Sequence, residues 1–268
     1  MKTTTLRIAA ALLFALVSGG ATAAIGLDIR FEPAPTDRLD VESLQRGARN
    51  FVNYCLNCHS ARHMRYNRLT DLGLTEAQIR DNLILTEAKI GDSMNVAMKP
   101  ADAKLWFGTP PPDLSVEARV RGSDWLYNYL LGFYRDDKTP SGWNNLVFSN
   151  VSMPHVLWEL SGTYALVENL HENLQEAQAE ALAAKRLTVI APAKEHKYVV
   201  RTLTQETPGA LTPAQYRGFI ADLVNYLDYM AEPAKNMRIN IGFAVLLYFG
   251  VLFFFAYWLK REYWKDVH

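Results

Sequence analysis

Apolar positions recur along most of this chain at helical spacing, and one stretch alternates at the period of a strand. In Val41 to Tyr54 the apolar or small residues Leu44, Ala48, Phe51 and Val52 fall three or four apart, which predicts a helix with one buried face. Thr75 to Leu85 opens T-E-A-Q-I, a helix start. Ser123 to Phe133 is apolar and aromatic and reads as a further helix. From Gly162 to Arg186, the residues Leu166, Leu170, Leu174, Ala177, Ala181 and Leu182 predict an amphipathic helix ending at Lys185-Arg186. Thr212-Pro213-Ala214-Gln215 supplies a threonine cap, proline at the first helical position and glutamine at the third. The helix it starts carries Phe219, Leu223, Tyr226, Leu227 and Met230 towards Pro233. Within Val189 to Thr204 the run K-Y-V-V-R-T-L-T alternates as a short strand does. Pro100 to Ser115 and Pro140 to Pro154 read as loops. The fold class is therefore mainly α.

Both ends are apolar, and their lengths separate them. Ile239 to Leu259 is 21 residues without a charge. At the rise of an α-helix it reaches roughly 31 Å, enough to cross a bilayer. Tyr257, Trp258, Tyr263 and Trp264 form an aromatic belt at its far end, followed by Lys260, Arg261 and Lys265. At the N-terminus, Lys2 and Arg7 precede an apolar run from Ile8 to Val17, and Ala21-Thr22-Ala23 follows. That is a secretory signal with an A-x-A cleavage site, too short to span. The expected organisation is a cleaved signal at 1–23, an exported domain at 24–234, and an anchor with a cytoplasmic tail at 235–268.

The formal charge of zero hides an uneven distribution. Of 28 basic and 28 acidic residues, the signal holds Lys2 and Arg7, and the tail from Lys235 holds five basic and two acidic; the domain keeps 21 basic against 26 acidic. An acidic exported domain argues against a nucleic-acid partner and suits a basic one.

The chemistry concentrates in Cys55-Leu56-Asn57-Cys58-His59, the C-x-x-C-H signature of c-type haem attachment. Each thiol can add across a haem vinyl group, and His59 then falls under the iron as proximal ligand. These are the chain's only two cysteines, so no disulfide framework competes for them. A thioredoxin-like redox pair would need a βαβ pattern around it, and none is present.

A methionine opposite the histidine raises the reduction potential of a single-haem carrier. The candidates are Met64, Met94, Met98, Met153, Met230 and Met237. Met64 is too close to His59 to reach the other haem face, Met230 lies on an apolar helix stripe, and Met237 abuts the membrane. Met94, Met98 and Met153 survive. Met153 stands in V-S-M-P-H, where Pro154 biases it to an extended backbone suited to a distal ligand. His155 is its neighbouring rival, and His63, His171 and His196 read as surface residues.

With these parts assembled, the chain resembles the cytochrome c1 family, the haem subunits of cytochrome bc1 complexes, over nearly its whole length. P-P-D-L-S from Pro111 to Ser115, followed by A-R-V-R-G, resembles the family's haem-edge segment. The resemblance implies that Pro112 lies at the haem and that Arg119 pairs a haem propionate. The loop ending in Met153-Pro154 resembles the methionine-ligand loop and makes Met153 the implied sixth ligand. Trp125 falls where the family has an aromatic residue at the haem, at a shorter gap from Arg119. D-L-V-N-Y-L-D-Y-M-A-E-P, from Asp222 to Pro233, resembles the helix leading into the anchor. Gly162 to Arg186 matches no family motif and reads as a lineage-specific insertion or partner surface.

The resemblance implies a class I cytochrome c-like haem domain with insertions, one covalent haem c, and one C-terminal transmembrane helix. It implies an inner-membrane electron carrier with its haem domain in the periplasm, working with cytochrome b, a Rieske iron–sulfur protein and a c-type cytochrome acceptor. The alternatives are a membrane-anchored c-type cytochrome serving another oxidase or reductase, and a haem enzyme or sensor with an open sixth position.

Overall fold

The computed structural model describes residues 28–266, and the expected signal at 1–23 lies outside them. After a short strand, β1 (Asp28–Arg30), helix α1 (Val41–Tyr54) starts where the Asp40 side chain accepts a hydrogen bond from Ser43 N. It buries Leu44, Ala48, Phe51 and Val52, the stripe expected from the sequence. β2 (Ala61–Arg65) pairs antiparallel with β3 (Ser93–Met94), and between them α2 (Glu76–Leu83) is closed by a capping box of Thr75 and Gln78. α3 (Pro100–Phe107) begins on its proline within a stretch expected to be loop. α4 (Glu117–Arg121) and α5 (Ser123–Leu131) are separated by Gly122, whose φ of +92° a side-chain-bearing residue rarely adopts. β4 (Phe133–Arg135) and β5 (Trp143–Asn145) form a hairpin ladder, and α6 (Trp158–Ser161) is a single turn.

The segment 162–186 departs from the expected helix. It is a strand, β6 (Gly162–His171), followed by helix α7 (Leu174–Ala184). Leu166 and Leu170 are four apart, a spacing that fits one face of a strand as well as one face of a helix. The surrounding Thr163, Tyr164 and Val167 favour the strand. Asn173, whose side chain accepts from Glu176 N, is the true helix start. Beyond it, the alternating stretch forms two strands, β7 (Thr188–Pro192) and β8 (Tyr198–Pro208), paired antiparallel from Val189↔Arg201 to Pro192↔Tyr198. The sheet order is β1-β7-β8-β6.

α8 (Pro213–Ala231) starts on the expected Thr212–Gln215 capping box. α9 (Lys235–Tyr263) runs 29 residues, and none of them is buried. A helix apolar on every side with nothing packed against it is a membrane span, so α9 is a single-pass anchor and the rest of the domain lies outside the membrane.

The described chain divides into two units. The smaller comprises 28–30 and 167–202, where Ala177, Ala181, Ile190 and Val200 form a small core. The larger comprises 31–166 and 203 onward and holds the main core. Its centre is the crossing of α1 and α8, where the Phe51 and Tyr226 rings lie 5.7 Å apart. Gly47 permits the close approach: a Cβ there would sit 2.1 Å from Asp222 O and 2.6 Å from Tyr226 Cβ. Arg46 clamps Asp222 through two bonds of 2.6 and 2.9 Å beside it. Tyr216 Oη donates to Leu130 O at 3.1 Å, tying α8 to the end of α5.

Candidate functional site

The last turn of α1 delivers the cysteine–histidine motif. Cys55 N donates to Phe51 O, and both Cys58 N and His59 N donate back to Cys55 O, at 2.9 to 3.1 Å. The tight turn sets both thiols and the imidazole on the wall of one cavity of about 280 Å³. Pro112 and Leu114 line it from the loop before α4, Trp125 and Tyr129 from α5, and Met153 and Pro154 from the loop before α6. Leu223 and Leu227 add apolar surface from α8. The P-P-D-L-S loop is fastened in place by Leu114 N to Ser60 O at 2.8 Å and by Arg62 N to Asp113 Oδ2 at 3.0 Å.

The electrostatics favour neutral donors. Burial pushes the Cys55 thiol up to about 12, with Cys58 beside it adding to the rise, and burial also raises Cys58. Both rises run against the low pKa of a disulfide-exchange nucleophile. His59 Nδ1 lies 2.7 Å from Pro112 O. A carbonyl only accepts, so Nδ1 carries the proton and the lone pair is on Nε2. Burial lowers the His59 pKa, against the Pro112 hydrogen bond, and keeps the ring neutral. A neutral imidazole with its far nitrogen fixed in this way is the form that ligates a metal.

Met153 is the one methionine of the six candidates that lines the cavity. Its sulfur accepts a hydrogen bond from Tyr129 Oη at 3.5 Å. Met64 and Met94 are core residues at 1 % and 0 % exposure, Met230 is buried on α8, and Met237 is exposed on the anchor. Met98 is half-buried and away from the cavity. The rival His155 is buried elsewhere: its Nε2 is 2.9 Å from Ser161 Oγ, and its ring stacks on Phe133 at 4.7 Å. Burial holds its pKa at about 3.

Six of the seven sequence-derived residues, Cys55, Cys58, His59, Pro112, Trp125 and Met153, meet at this cavity. Arg119 does not. It is two-thirds exposed, with its guanidinium 3.9 Å from Glu232. Arg121, two residues on, lines the cavity instead: its Nε donates to Glu117 at 2.8 Å and its guanidinium lies 4.4 Å over the Trp125 ring. In the sequence, R-V-R offers two arginines on different faces of one short helix. The available signal was the four-residue step from Glu117 to Arg121 and from Arg121 to Trp125. Tyr129 was also missed, because a tyrosine inside an aromatic helix run looks like core.

An imidazole and a thioether sharing an apolar cavity with two vicinal thiols, on a domain tethered by one membrane helix, define the class of membrane-anchored c-type cytochromes. Within that class the chain belongs to the Cytochrome C1 family, whose pattern matches residues 32–173 and 209–267. It is 44 % identical over 257 residues to cytochrome c1 of Allochromatium vinosum, covering 95 % of this chain and 97 % of the relative. It is also 44 % identical over 243 residues to the ammonia monooxygenase gamma subunit of Nitrosomonas europaea, covering 91 % of each. Cytochrome c1 of Rhodospirillum rubrum is 27 % identical, with 86 % of this chain and 84 % of the relative covered. The protein is thus an electron-transfer component of a bc1-type complex. The unmatched residues between 173 and 209 hold α7, β7 and β8.

Proposed function

We propose that Cys55 and Cys58 would hold one haem c through thioether bonds, with His59 Nε2 and Met153 Sδ as the ligands to its iron. Bound there, the group supplies a one-electron iron couple. Pro112 fixes the His59 ring through its carbonyl, and Trp125 packs at the haem. Arg121 rather than Arg119 serves the propionates, because it alone of the two lines the cavity. Its planar donors suit a carboxylate, and Glu117 and Trp125 orient it. The apolar walls keep water from the site. The observation that carries this reading is the meeting of both thiols, the imidazole and a single methionine on one cavity.

In this reading the protein takes electrons from a Rieske iron–sulfur protein and gives them to a c-type cytochrome, beside cytochrome b in the inner membrane. Its haem domain is periplasmic and its C-terminus cytoplasmic. The relative named as an ammonia monooxygenase subunit favours a second reading, a carrier for another membrane oxidase. Mild-detergent purification of the tagged chain separates the two. Recovery of a cytochrome b and an iron–sulfur protein is the expected result; recovery of a monooxygenase without them selects the second reading.

The domain boundary is tested separately. A chain ended after Pro233 loses α9, and it is expected to leave the membrane fraction as a soluble protein with an unchanged haem spectrum. Retention in the membrane would mean a second membrane contact.

A further inference from the structure

We propose that Tyr129 is a positioning residue that sets the redox poise of this site by donating a hydrogen bond from its phenol to the Met153 sulfur. The inference rests on Met153 being the iron ligand. A thioether sulfur carries two lone pairs and is a weak acceptor. With one pair given to iron, the other remains for the Tyr129 hydroxyl, 3.5 Å away. A donor on that second pair draws electron density from the sulfur, so Met153 gives less to ferric iron and the ferrous state gains.

The surroundings hold the phenol to this task. Trp125 stacks on the Tyr129 ring at 4.9 Å with 10° between planes, and Phe133 meets it edge-on at 5.2 Å. Asn145 Nδ2 donates to the Tyr129 carbonyl at 2.8 Å and pins the backbone below. A second tyrosine–methionine contact, Tyr226 Oη to Met94 Sδ at 3.8 Å, lies in the core away from the cavity and gives an internal comparison.

The test is redox titration of the full-length, haem-loaded chain in detergent, with the sulfur–iron band near the red edge of the visible recorded alongside. Tyr129→Phe keeps the stacked ring and removes only the donor. The expected result is a retained band and a reduced-to-oxidised ratio, at fixed ambient potential, lowered about threefold. For a one-electron couple at 59 mV per tenfold that is about 28 mV. The change is modest because only the difference in hydrogen-bond strength between the two oxidation states counts. Tyr226→Phe should leave the ratio at the wild-type value. An unchanged or raised ratio in Tyr129→Phe with the band intact overturns the proposal, and so does loss of the band, which would make the hydroxyl a requirement for ligation. Survival of the band in Met153→Leu is a different failure, that of the ligand assignment itself.

Discussion

Replacing Met153 with lysine is expected to leave the haem attached and to lower its potential by a large share of the roughly 0.8 V that axial ligation spans. Met153 is the only candidate methionine at the cavity. Its soft sulfur favours ferrous iron, whereas an amine nitrogen is harder and more basic and favours ferric. Lysine carries its nitrogen two bonds beyond the position of the methionine sulfur on a flexible stem, so the nitrogen can fold back to the same place. The sulfur–iron band should vanish and quinol-dependent reduction of a c-type cytochrome should collapse. The haem should still resist extraction by acid acetone, because Cys55 and Cys58 are untouched. Met94→Leu and Met98→Leu should keep the wild-type potential, since neither side chain lines the cavity. A Met153→Lys protein with wild-type potential and band would remove Met153 from the iron.

The second large effect is on stability. Gly47→Ala is expected to cost about 2 to 3 kcal/mol, from forcing a methyl group into a packed crossing. The added Cβ would stand 2.1 Å from Asp222 O, which is backbone and cannot swing aside. For a chain of this size that lowers the melting temperature by roughly 5 to 10 °C. Alanine's better helix propensity returns at most about 1 kcal/mol. Gly218→Ala, on the partner helix, meets nothing within 4 Å. It should gain about 0.5 to 1 kcal/mol, so the two substitutions should move the melting temperature in opposite directions. A Gly47→Ala protein as stable as wild type would mean that α1 and α8 can separate without loss.

The parts of the molecule legible in the sequence were those fixed by local chemistry. The cap at Thr212 and Gln215, the stripe on α1 and the uncharged run of α9 each carry their signal within a few turns. The cysteine–histidine motif is legible for the same reason, since five consecutive residues state it. The β6 segment was misread because its leucine spacing satisfies two periods, and the choice between them is made by pairing with a strand tens of residues away. The contrast between Arg119 and Arg121 depends on which way a five-residue helix is turned, which Gly122 and the start of α5 decide. Tyr129 takes its role from a sulfur 24 residues later.

The junction between α8 and α9 bears on how the protein can work. Only Glu232, Pro233 and Ala234 separate the two helices. Arg238 donates to the Glu232 side chain at 2.6 Å, and Arg38 donates to its carbonyl at 2.6 Å while also gripping Asp228. Proline and two arginines leave this joint no slack for a swinging arm. The end of α8 is therefore coupled directly to the base of the anchor. Movement of α9 in the bilayer is passed to the end of α8 through Glu232 rather than absorbed by a linker.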